Sequence, residues 1–172
     1  LLRAAGGGAT VRVRNATEQQ RGGARNWLQK IAGSATQEAL PGLDADSLSL
    51  PPSIAVFSQR SLNRDLYLWL ATLAACYVDT GQWVSDNQWA TQCVLHMFPG
   101  MRIRRHRLLQ AHLRQRPLES QLKDPSALAE RFVSQALQLD PMASVVPLPW
   151  SGKPLTAADV APVWLWLSPQ DK

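Results

Sequence analysis

SLNRDLYLWLATLAACYVDTGQW, residues Ser61 to Trp83, is the stretch from which the fold can be read. Between Leu66 and Val78 only Thr72 is neither apolar nor aromatic. On a 3.6-residue period Leu62, Leu66, Trp69, Leu70, Leu73, Cys76 and Tyr77 share one arc, the pattern of a helix with a buried face. Ser61 is read as the N-cap, Asp65 as a first-turn acid suited to the helix dipole, and Thr80-Gly81 as the stop. The opposite side, Leu68, Ala71 and Ala75, is apolar and mostly small, so neighbouring helices can approach it closely. Arg64-Asp65 and Asp79 bracket the apolar run well short of the roughly 20 residues that a bilayer demands. The expectation is a central helix of a bundle.

Helical signals continue downstream. Ser85 and Gln88 form a candidate capping box for a second helix with Trp89, Cys93, His96 and Met97 on one side, ended by Phe98-Pro99-Gly100. A third helix is expected over about Met101 to Gln115, with Leu108, Leu109 and Leu113 inward, Arg104, Arg107 and Arg114 clustered on the other side, and Arg105 nearer the apolar side. Asp124-Pro125 opens a fourth, whose Leu128, Phe132, Gln135, Ala136 and Leu139 are expected to face the core before Asp140-Pro141.

The flanks differ in kind. Gly6 to Gly8 read as a joint or tight turn, and Thr10 to Arg14 alternates like an edge strand. Gln19 to Lys30 sets Arg21, Arg25 and Lys30 around Trp27 and Leu28. Leu40 to Phe57 shows strand-like alternation at Leu48 and Leu50, followed by a proline pair that bars a helix. From Val145 to Leu167, Pro147, Pro149, Pro154 and Pro162 are interleaved with Trp150, Trp164 and Trp166, which suits an extended ribbon packed across the helices. The fold expected is therefore mainly α. It is a single domain over 1–172, with 1–60 irregular and carrying short strands, 61–140 a core of about four helices, and 141–172 an extended closing segment. The chain does not begin with Met and ends in SPQDK, so it is read as a piece of a longer protein.

The net charge of +5 favours an acidic protein surface, a nucleic acid or an anionic membrane without choosing among them. Cys76 and Cys93 read as small core residues of a reduced compartment, and without a signal peptide the expected location is the cytoplasm. Catalytic and cofactor signatures fail on register. In Asp44 to Ser49 the oxygen ligands of an Asp-x-Ser-x-Ser metal motif are out of place. Gly152-Lys153 resembles the end of a Walker A loop, but Pro147 and Pro154 stand where a Gly and a Ser/Thr belong. His96, His106 and His112 have no zinc spacing. No enzyme, cofactor or metal site is expected. The arginine helix leaves three uses open: a solvated face, a protein-docking face, or a phosphate-binding face built from Arg102, Arg104, Arg105, Arg107, Arg114 and Arg116.

The segments RNWLQKIAG (25–33), LPPSIAVF (50–57) and LNRDLYLWLATLAA (62–75), a basic helix, and a late PVWLW (162–166) together resemble the region ahead of the von Willebrand A domain in the CbbO and NorD adaptor family. That resemblance implies a non-catalytic, chaperone-like adaptor working with a hexameric MoxR-type AAA+ ATPase. The CbbO branch, which reactivates Rubisco, is the first expectation, and the NorD branch, which serves nitric oxide reductase, is the alternative, with a nucleic-acid-binding module as a further one. The implied partners are the ATPase hexamer and the target enzyme, with no membrane span and nucleic acid disfavoured. Arg104, Arg107, Arg114, Trp164 and Trp166 are the candidate docking residues. The family's metal motif belongs to the A domain, so no cation site carries over to this chain.

Overall fold

A computed structural model describes residues 12–15, 42–44, 47–50, 55–123, 125–141, 150 and 152–169. Among these residues four α-helices dominate, as the periodicity predicts: α1 (Arg60–Cys76), α2 (Trp83–Met97), α3 (Met101–Gln115) and α4 (Ser126–Gln138). A short 3-10 turn, Glu119–Gln121, lies between α3 and α4. Gly6 to Gly8, the Trp27 segment, Asp124 and residues 142–149 fall outside the described set.

α1 is central and packs against both α2 and α3, while α4 packs against α2 and α3. Its inward arc is as expected: Leu66, Trp69, Leu70 and Leu73 are completely buried, and Cys76 and Tyr77 nearly so. Its ends differ from the expectation. The helix begins one residue before Ser61, and Gln59 occupies the N-cap without a side-chain cap bond. Asn63 compensates with a two-way clasp: its Oδ1 accepts the Phe57 N–H at 2.8 Å and its Nδ2 donates to the Phe57 carbonyl at 2.7 Å. Asp65 lies beyond the first turn and pairs with Arg104 at 3.1 Å.

The helix ends at Cys76, where Tyr77 turns extended, ahead of the expected Thr80-Gly81 stop. Thr80-Gly81 instead prepares the start of α2. The Asp86 carboxylate reaches back to accept the N–H groups of Thr80 (3.0 Å) and Gln82 (3.1 Å) and the Thr80 hydroxyl, while Gly81 takes a φ of +81°, for which glycine is suited. The Ser85–Gln88 box is not used. A carboxylate in the first helical turn does its work.

Two inward faces differ from those that the hydrophobic pattern predicts. In α2 the buried stripe is Trp83, Val84, Asp86, Asn87, Ala90, Thr91, Val94 and Leu95, whereas Trp89, His96 and Met97 are exposed and Cys93 is half-buried. In α4 the buried residues are Ala127, Ala129, Glu130, Val133, Ala136 and Leu137, while Leu128, Gln135 and Leu139 are exposed and Phe132 is half-buried. The cause is common to both. Each true stripe contains polar residues with buried partners, and counting hydrophobicity alone rotates the apparent face by about one residue, roughly 100°.

The C-terminal segment closes the core, as its Trp-Pro composition suggests. Leu155, Val160, Ala161, Val163, Leu165, Trp166 and Leu167 are buried. Helix side chains stitch it down through its backbone. The Trp69 indole donates to the Leu165 carbonyl at 2.9 Å, and the Trp83 indole to that of Leu167 at 2.8 Å. Asn87 both donates to the Leu167 carbonyl (2.9 Å) and accepts its N–H (2.8 Å), so one amide side chain acts like a neighbouring strand.

Immediately beyond, β4 (Ser168–Pro169) joins a small sheet with β1 (Arg12–Asn15), β2 (Gly42–Asp44) and β3 (Ser47–Leu50) in the order β1-β3-β2-β4. β3 runs parallel to β1 and antiparallel to β2, with Leu43 opposite Leu48. β1 is an edge strand, as its alternation implies. Pro169 also lies in an edge strand, where its missing N–H costs least.

Candidate partner interface

α3 carries no acidic residue, and of its 15 residues only Met101, Leu108, Leu109 and His112 are buried. Arg102, Arg104, Arg107 and Arg114 are exposed, as is Ile103 at 66%. Ile103, Arg107, Gln110 and Arg114 follow one another at spacings of four, three and four, which sets them in one outward stripe. Two bonds fix α3 antiparallel to α1: Arg104 Nε to Asp65 Oδ1, and Gln115 Nε2 to the Val56 carbonyl at 2.9 Å. Exposed Arg60 and Arg64 lie between these two links along α1.

The arginines therefore have different fates. Arg104 spends part of its charge on Asp65, although its side chain stays 46% exposed. Arg105 is half-buried, as predicted from its nearness to the apolar side, and donates to the Leu137 carbonyl at 3.0 Å. Its burial lowers its pKa, with Asp140 opposing. Arg116 is inside the protein and unavailable to phosphates, which corrects its place in the phosphate-binding set.

Arg116 is the hub of a buried network that sequence reasoning missed. Its guanidinium grips Glu130 Oε1 through Nε and Nη2, and donates from Nη1 to His112 Nε2 at 3.1 Å. It also reaches the carbonyls of Pro162 (3.3 Å) and Ala161 (3.4 Å), while Glu130 Oε2 accepts the Ala161 N–H at 3.2 Å. One ion pair thus ties α3, α4 and the closing segment together, with the two-pronged geometry that only arginine supplies. Because His112 Nε2 accepts, the ring proton belongs on Nδ1, which is buried with no partner among the described residues. Burial, aided by the Arg116 charge, pushes the His112 pKa down to about 3, so the ring is neutral. The i, i+4 spacing of His112 and Arg116 on the Leu108–Leu109 side was the one signal available; nothing in the sequence pairs Glu130 with them.

The two candidate tryptophans part company. Trp166 is only 3% exposed and meets Trp83 edge-on, with centroids 5.2 Å apart at 85°. It is a core residue and presents no ring to a partner. Trp164 is half-buried against the core. A more open aromatic surface lies elsewhere, in a cleft of about 450 Å³ lined by Trp83, Gln88, Trp89, Phe132, Trp150 and Pro154. Trp89 is 60% exposed there, and Phe132 and Trp150 stack tilted at 5.0 Å. Gly152 and Lys153 are exposed, with Lys153 paired to Asp159 at 3.3 Å. Among the described residues no three His, Cys, Asp or Glu side chains converge, and no helix is long and apolar enough to cross a membrane.

Over 99% of its length the chain is 38% identical to Protein NorD of Stutzerimonas stutzeri, and over its full length 38% identical to an uncharacterized protein of Pseudomonas aeruginosa. This chain is similar throughout to a segment of NorD. A NorD of Brucella abortus is 37% identical over 101 residues, 52% of the chain and 16% of that relative. These similarities support the NorD family. The chain spans about a quarter of the length of the first two relatives, 27% in each case. No family model and no solved structure matches it.

For a NorD-like segment, what the structure brings to the surface is the α3 stripe and the Trp89 cleft. Of the five residues singled out for docking, Arg104, Arg107 and Arg114 share the exposed side of one helix, Trp164 is partly covered, and Trp166 is internal. The named relatives favour the NorD branch over the CbbO branch, reversing the order set by the resemblance.

Proposed function

We propose that this chain is an adaptor module of a NorD-type activation protein, coupling a MoxR-type AAA+ hexamer to its target, nitric oxide reductase, without itself catalysing a reaction. The observation that carries the reading is similarity to NorD along the whole chain. A CbbO-type role in Rubisco reactivation has no such support. The acid-free α3 supplies a docking surface of the right kind. Ile103 is an apolar anchor at the N-terminal end of the stripe, Arg107 and Arg114 continue it with positive charge, and Arg104 extends the basic edge toward α1. Such a face suits an acidic surface on the ATPase, where complementary charge raises the encounter rate and an apolar contact slows release.

The experiment is charge reversal in the full-length protein. Arg107→Glu/Arg114→Glu alters only exposed positions, whereas Glu at position 104 would confront Asp65, so Arg104 is left in place. Each substitution should move stability by no more than about 0.5 kcal/mol. Stimulation of the hexamer's ATPase should require a higher adaptor concentration, and the difference from wild type should narrow as salt rises. Equal stimulation at both low and moderate salt, by a variant with unchanged circular dichroism, removes α3 from the interface. Loss of nucleic-acid binding in the same variant, with steep salt dependence, would assign the stripe to phosphates instead.

A further inference from the structure

Cys76 and Cys93 are 17 positions apart, one at the last turn of α1 and one in α2, yet both thiols point at one thioether. The Cys76 Sγ lies 3.9 Å from Met97 Sδ, and the Cys93 Sγ lies 3.6 Å from the same sulfur. Three sulfurs thus gather around Met97 at the α1–α2 seam. From its geometry we infer that Cys76, Cys93 and Met97 form a binding site for a single cuprous ion.

The dimensions fit. A metal about 2.3 Å from each of three sulfurs in a trigonal arrangement sets them about 4.0 Å apart, close to both measured separations. The donor set selects the metal class. Two thiolates and a thioether are soft ligands that suit Cu(I), whereas zinc favours four ligands and no thioether, and calcium and magnesium need oxygens. The site is half-open. Cys76 is 7% exposed and forms the floor, Cys93 is half-buried, and Met97 is 50% exposed at the rim, so an ion can arrive from the α2 surface without unfolding the core.

Binding is ligand exchange without redox change. Cu(I) leaves its carrier and forms two Cu–S bonds to thiolates and one to the thioether. The two displaced thiol protons pass to solvent, and copper remains Cu(I). This inference is independent of the docking surface on α3.

The test uses the reduced, metal-free chain under anaerobic conditions, titrated with Cu(I) held by bicinchoninate. One equivalent should transfer to the protein, and X-ray absorption should show a sulfur-only shell of three scatterers at about 2.3 Å. Met97→Leu, at a half-exposed position, should keep the fold, lose one sulfur from that shell and bind at least about tenfold more weakly, the lower end of what even an outer-shell change costs a metal site. Cys93→Ser should abolish transfer with unchanged circular dichroism. The site is refuted if no copper leaves the chelator, if Met97→Leu binds as wild type does, if folded Cys93→Ser still takes one equivalent, or if the chain forms a Cys76–Cys93 disulfide in air and, once reduced, accepts no Cu(I).

Discussion

Replacing Arg116 by Met removes one guanidinium and strands four groups. The Glu130 carboxylate, 4% exposed, loses its counter-charge. The Ala161 and Pro162 carbonyls and His112 Nε2 lose donors. Breaking a buried pair by removing one partner costs about 3 to 5 kcal/mol, chiefly because a charge is left uncompensated. For a chain of this size each kcal/mol shifts the melting temperature by about 2 to 4 °C, so Tm should fall by roughly 6 to 20 °C. The pair can be isolated with a double-mutant cycle. Arg116→Met/Glu130→Met removes both charges, so the double variant should be more stable than the sum of the singles implies by more than about 1 kcal/mol. Urea unfolding followed by tryptophan fluorescence reads all four proteins. Additive losses, or a single-variant cost below about 1 kcal/mol, would mean that the ion pair is not what holds α3, α4 and residues 161–162 together.

Two further outcomes follow from other buried polar groups. His112 is neutral in the folded chain with its pKa pushed down to about 3, whereas in the unfolded chain it titrates near 6.5. Below that pH unfolding takes up a proton, so its contribution is intact above pH 6.5 and is lost as pH falls toward 3, at about 1.4 kcal/mol per pH unit. His112→Gln should flatten the stability curve between pH 6.5 and 4.5 relative to wild type, and parallel curves would refute the assignment. Asn87→Ala removes both bonds to Leu167 and leaves its buried N–H unsatisfied, at about 1 to 3 kcal/mol, while Trp83 still donates to the Leu167 carbonyl. Hydrogen exchange at the Leu167 amide should accelerate well beyond that of the α1 amides, and uniform acceleration would show that no local contact was lost.

The legibility of the chain divides along polarity. Leu66, Trp69, Leu70 and Leu73 announce α1 because apolar periodicity and burial coincide there, and the bounds of α3 are readable for the same reason. The inward faces of α2 and α4 were not, because Asp86, Asn87, Thr91 and Glu130 are buried by partners far away in sequence. Asn87 finds Leu167, and Glu130 finds Arg116; no spacing rule links such pairs. The ends of α1 misled for a local reason. Asn63 and Asp86 cap from inside their helices, where cap signals are not sought, so Ser61 and Thr80-Gly81 were given roles that these two perform. Arg107 and Arg114 could be placed outward from periodicity alone. That Arg116 is internal, Trp166 a core ring and Cys76 a neighbour of Cys93 depends on tertiary packing, which a single sequence does not display.

The bonds from Trp69 to Leu165 and from Trp83 to Leu167 span 96 and 84 residues. A ribosome adds about 5 to 20 residues per second, so some 4 to 17 seconds pass between synthesis of Trp83 and of the carbonyl that satisfies it. During that interval the helices can form from local contacts while the seam for residues 163–167 stays open, with two indole N–H groups and much of the apolar face of α1 and α2 uncovered. The growing chain is then at its most adhesive. A stall or truncation before residue 163 would leave a helical product without its cover, prone to self-association or to capture by a holding chaperone, whereas a break after Pro169 would spare every one of these bonds.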